Sequence, residues 1–101
     1  MLTYFNVTYQ LMIAYQDVGL YTKALEKLIV LKRYISQAQQ HNSDFLAQHG
    51  VPFIYQTLVS AKATLEHEYK PEQIQAFLND FAKQVDKDGK ESIEEFRKLL
   101  M

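Results

Sequence analysis

The chain has no cysteine and no tryptophan, three glycines and two prolines. Without cysteine there is no disulfide framework, no thiolate nucleophile and no cysteine-ligated zinc. That suits a reducing compartment, and a cytoplasmic location is expected. So few glycines and prolines exclude collagen-like and low-complexity sequence and argue against a many-turned β-sandwich. Gly19, Gly50 and Gly89 each stand alone, so no glycine-rich loop is available to cradle phosphate. Net charge is also lacking: 11 basic and 12 acidic residues leave −1, too little to attract nucleic acid or an anionic membrane. Residues 1–16 carry no charge at all, and Asp17 is the first charged residue. A signal peptide would place a basic segment there. A membrane span would need about 20 apolar residues, whereas this stretch includes Thr3, Asn6, Thr8, Gln10 and Gln16. A buried helix is the expectation.

What is present is a chain of 101 residues, 48% hydrophobic and 23% charged. That is enough for one domain over 1–101, too short for two, and too apolar for disorder. Residues 1–40 sum to +2 (Lys23, Lys27, Lys32 and Arg33 against Asp17 and Glu26), and the remainder to −3. No run of like charge stands out.

Apolar residues recur at helical spacing throughout. Tyr4, Val7, Leu11, Ala14, Tyr15 and Val18 form one stripe; Phe5, Tyr9, Met12 and Ile13 form a second on another face. A helix apolar on two sides expects neighbours on two sides. Gly19 is placed to end it. A second helix opens near Tyr21 and repeats through Ala24, Leu25, Leu28, Leu31, Lys32 and Ile35. His41-Asn42-Ser43-Asp44 reads as a break, and residues 45–48 as either a short helical turn or a continuation of the long helix. A third helix is predicted from about Pro52, where proline suits the first turn, to Tyr69. A fourth carries Ile74, Phe77, Leu78, Phe81 and Val85. Asp86 to Gly89 reads as a turn, and a short fifth helix follows. Ser92 and Glu95 would form its capping box, with Phe96, Leu99 and Leu100 as its buried face. The fold class predicted is all-α: about five helices in antiparallel hairpins.

The first hairpin has more than periodicity. Thr8-x-x-Leu11-Met12-x-x-Tyr15, then Gly19-x-Tyr21, then Ala24-x-x-x-Leu28 resembles the tetratricopeptide (TPR) repeat over residues 5–38. Leu11 and Tyr15 would face the partner helix, Tyr21 would pack back over the turn, and Ala24 would permit close approach. Thr8, Met12 and Ser36 stand where tryptophan, glycine and proline are typical. Residues 52–85 read as a degenerate second hairpin and 92–100 as a C-terminal helix. The arrangement is similar to the sensory domains of Gram-positive helix-turn-helix regulators that bind signal peptides. The resemblance implies a right-handed helical array whose first helices line a groove, with Asn6, Tyr9, Ile13, Gln16 and Asp17 contacting a peptide or protein segment. The same residues could instead pack against a third helix or a second subunit.

Other chemistry is thinner. Asp86, Asp88 and Glu95 around Gly89 approach a calcium-loop pattern, but Gln84 stands at its first ligand position. His67-Glu68 opens like a zinc-protease motif, and Pro71 replaces its second histidine. His41 and His49 have no evident carboxylate partners. Lys27, Lys32 and Arg33 near Tyr34 lack a recognition helix. There is no G-x-S-x-G elbow. No catalytic residue, metal or cofactor is expected. The function expected is peptide or protein binding, or self-association as a homodimer or part of a longer array, without nucleic acid or membrane. The alternatives are the regulatory or dimerisation domain of a transcription regulator, and a small metal protein or enzyme with a spatially assembled site.

Overall fold

The computed structural model describes residues 2–41, 52–85 and 87–100. The expectations at residues 42–49 lie outside the described residues. Six helices are described: α1 (Leu2–Asp17), α2 (Tyr21–His41), α3 (Pro52–Ser60), α4 (Lys62–Glu68), α5 (Pro71–Ala82) and α6 (Lys87–Lys98). Among the described residues there is no strand, and no helix is long and apolar enough to cross a membrane. The radius of gyration, 12.8 Å, is that of a compact domain of this length, about 13 Å.

α1 and α2 form a hairpin closed at Gly19. Its φ of +82° is a left-handed conformation open to glycine and strained for residues with a Cβ. Leu20 N–H donates to Tyr15 O at 2.8 Å and Gly19 N–H to Gln16 O at 3.0 Å. Those are the two bonds of a Schellman cap, which satisfies the last carbonyls of α1. The α2 stripe is buried as its spacing requires: Ala24, Leu28 and Ile35 are fully enclosed and Leu31 nearly so.

The third predicted helix is two helices. Ile54, Leu58, Ala61 and Leu65 are all fully buried, so its stripe is continuous, but the backbone bends at Ala61 (φ −97°, ψ 5°). α3 packs against α6, and α4 packs against α2. α5 starts after an extended Lys70, whose N–H is taken by Gln73 Oε1 at 2.8 Å. It buries Ile74, Leu78 and Phe81.

The last helix begins earlier than the S-x-x-E pattern indicates. Lys87, Asp88 and Gly89 are its first turn, so the predicted turn is helical over those residues. Ser92 is interior, its Oγ donating to Asp88 O at 3.2 Å. The buried residues are Gly89, Ser92, Ile93 and Phe96, whereas Leu99 is 43% exposed. Helical geometry at 87–89 also removes the loop that calcium ligation would need.

Candidate functional site

α1 presents two different surfaces. Thr8 and Met12 are buried, at 5% and 0% exposure. Tyr9, Ile13 and Tyr15 are half-buried and pack on the core. On the opposite side Asn6, Val7, Gln10, Leu11, Ala14, Asp17 and Val18 are exposed. Val7 is 54%, Leu11 39% and Val18 70% accessible. The first predicted stripe thus points mostly outward. Leu11 faces solvent where the repeat pattern would turn it toward α2, and Met12 takes the inner place. The reason is rotational. Turning Thr8, Tyr9, Met12 and Gln16 inward together carries 7, 14 and 18 to the far side of a 3.6-residue helix and leaves 11 on its flank. Tyr15 stays half-buried, with Lys23 Nζ 5.7 Å from its ring centre.

The predicted groove residues divide. Asn6 and Asp17 are exposed and Ile13 is half-buried. Tyr9 and Gln16 turn inward to the bend between α3 and α4. The Tyr9 hydroxyl lies 2.5 Å from Ser60 Oγ. Gln16 Nε2 donates to Ser60 O at 2.8 Å. Its Oε1 accepts from Thr64 N–H at 3.0 Å and from Thr64 Oγ1 at 2.6 Å. Ala61, at the N-cap of α4, offers no side-chain cap. Gln16 supplies one from another helix, since an acceptor for the third N–H is what a capping serine or aspartate provides. No local sequence signal announces this, because the capping group lies 48 residues away.

A second polar cluster ties α2 to α4. The Tyr21 ring stacks on His67 with centroids 4.1 Å apart. Thr22 Oγ1 donates to Glu68 Oε1 at 2.8 Å, and His67 Nδ1 lies 3.0 Å from Glu68 Oε2. These contacts, the Thr22 hydrogen bond first, hold the Glu68 carboxyl below its ordinary pKa. Lys32 pairs with Asp80 and sits 5.3 Å from the Phe77 ring centre, and its hydrogen bond lowers the Asp80 pKa. Arg97 binds Glu94, Gln75 and Asn79. The first and third of these clusters join helices that pack on one another, α2 with α4 and α5 with α6, and each charged group named has a partner.

Among the described residues no three of His, Asp and Glu gather as a metal set. A cavity of about 750 Å³ beside α3 and α6 is lined by Tyr55 and by Lys87, Lys90, Glu91, Ser92, Glu94 and Glu95. Along α6 its two ammonium groups, Lys87 and Lys90, precede three carboxylates, Glu91, Glu94 and Glu95, so the cavity as a whole offers no charge of one sign to select a ligand. The most distinctive surface is therefore the outer face of α1. Comparison with family models, with curated proteins and with solved structures returns no match, so no relative lends its chemistry to this chain.

Proposed function

We propose that the chain is a non-enzymatic, TPR-like helical module that binds a peptide or protein segment through α1. The observation that carries this reading is the outer face of that helix. Val7, Leu11, Ala14 and Val18 stand exposed at spacings of four, three and four residues. This is the pattern by which one helix receives another. Asn6, Gln10 and Asp17 border it with polar groups able to fix a partner's orientation. The small Ala14 lets a backbone come close. Ile13 remains a candidate contact at the edge, whereas Tyr9 and Gln16 act by positioning α1. A cytoplasmic location belongs to the same proposal and is supported by the absence of cysteine.

A second occupant is favoured by the spacing itself. Reversed about its centre, the 7-11-14-18 stripe maps onto itself, pairing Leu11 with Ala14 and Val7 with Val18. A second copy running antiparallel would set the large Leu11 against the small Ala14 and match valine with valine at the ends. This supports the reading of a dimerisation domain, such as a transcription regulator would carry.

The test is selection of helical peptides from a display library, followed by fluorescence anisotropy. Peptides that bind the native chain should lose at least tenfold in affinity toward a Leu11→Glu, Val18→Glu variant. Sedimentation over a wide concentration range distinguishes the two occupants. A monomer from which no stripe-dependent peptide can be selected would overturn the proposal.

A further inference from the structure

We propose that α3 and α4 are one helix held broken by Gln16, and that this latch couples the α1 surface to the α3–α6 pair. In an unbroken helix Thr64 N–H would donate to Ser60 O, four residues back. Here both groups are turned to the Gln16 carboxamide instead. Thr64 N–H donates to Oε1 at 3.0 Å, and Nε2 donates to Ser60 O at 2.8 Å. The carboxamide replaces one rung of the ladder like for like: an acceptor for the freed donor, a donor for the freed acceptor.

The backbone agrees. Ala61 takes up the bend in the sparsely populated bridge region between helix and strand. Its N–H is shared between Thr57 O and Leu58 O, both at 3.1 Å, which tightens the last turn of α3. Sharp bends in helices come from proline, glycine, an extra residue or an inserted side chain. No proline or glycine stands between Phe53 and Lys70. The inserted side chain is that of Gln16.

Withdrawing the carboxamide lets Thr64 N–H return to Ser60 O, and the helix closes. That motion cannot stay local. α3 packs on α6 while α4 packs on α2, so straightening swings one pair against the other. α1 holds the latch at a second point through Tyr9 and Ser60. A partner that draws α1 outward favours the straight state, and one that presses it inward favours the bent state. This regulatory use rests on reading α1 as the partner-binding helix; the latch itself does not.

The experiment uses the full chain and Gln16→Leu, which keeps the bulk and removes the carboxamide. Backbone carbon shifts of Ala61 report the bend, and amide exchange at Thr64 reports its hydrogen bond. Spin labels at Lys23 and Glu91, exposed on α2 and α6, report the two pairs. The expected result is helical shifts at Ala61, a Thr64 amide still protected, and a changed label distance. A folded variant with unchanged Ala61 shifts, or with a freely exchanging Thr64 amide, would overturn the latch. Helical shifts with an unchanged distance would overturn the coupling. If Gln16→Leu does not fold, Gln16→Met replaces it. The thioether keeps the unbranched length and lacks both the amide donor and the amide acceptor, and unchanged Ala61 shifts there would also sink the proposal. The Leu11→Glu, Val18→Glu variant tests partner binding separately, so either reading can fail alone.

Discussion

Gly89 stands in the first turn of α6 because nothing larger fits. A Cβ built there would lie 2.8 Å from Val85 Cβ, 2.9 Å from Val85 Cγ2 and 3.1 Å from Ile54 Cδ1. In an exposed helix glycine is about 1 kcal/mol worse than alanine, so propensity alone favours Gly89→Ala. Packing reverses that sign. Overfilling a close-packed contact costs roughly 1–3 kcal/mol, and β-branched Val85 has little freedom to move aside. Chemical denaturation of Gly89→Ala should show a net loss of stability, with α6 displaced from α3. Gln16 poses the opposite case, a polar side chain that the structure needs. Its three hydrogen bonds are each worth roughly 0.5–1.5 kcal/mol net, and its donor and acceptor ends are not interchangeable. Neither role was visible in sequence. Gly89 read as a turn glycine beside two aspartates, and Gln16 as a hydrogen-bonding groove residue, because both roles depend on a distant element pressed against them.

At the scale of elements, periodicity carried most of the information. Ile54, Leu58, Ala61 and Leu65 fell in the core as their spacing required, as did Ile74, Leu78 and Phe81. Gly19 ended α1 where glycine was expected to. The bend at Ala61 was illegible because the apolar stripe runs through it unbroken and its cause lies on α1. The S-x-x-E pattern at Ser92 misplaced the start of α6 because the same spacing is also compatible with a helix interior. Helical sidedness also misled at Leu11, since a helix apolar on two sides does not say which of them turns inward. Two expectations follow from the joints between elements. Gly19 has no heavy atom within 4 Å of an added Cβ, so Gly19→Ala isolates the backbone cost of positive φ, roughly 1–2 kcal/mol; thermal unfolding should register it, with asparagine milder. Glu68 and Asp80 both have lowered pKa values in the folded chain. A group depressed on folding stabilises above its unfolded pKa and loses that contribution as pH falls through the folded one. Melting temperature should therefore drop on acidification through and below the ordinary carboxylate range. The drop should flatten in Glu68→Gln, Asp80→Asn, and an unchanged acid limb would show that these joints carry no linkage.

At the scale of the whole molecule, burial and exposure are set by different helices. The core is shared by all six helices, while the outer face of α1 is not needed to build it. Substitutions on exposed faces change stability by only about 0.5 kcal/mol, so Leu11→Glu, Val18→Glu should melt like the native chain. Solubility should rise in that variant, as sedimentation and light scattering at high concentration would register. A large fall in melting temperature that does not vary with protein concentration would mean that the face is covered within the chain.

The absence of charge along this face also sets the physical character of anything formed on it. From Asn6 to Val18 only Asp17 is ionised, so a complex made there releases few counterions and feels little screening. Its affinity should be nearly independent of ionic strength, unlike that of ion-paired surfaces. Its signature should instead be a negative heat-capacity change on association, so that the binding enthalpy grows more negative on warming.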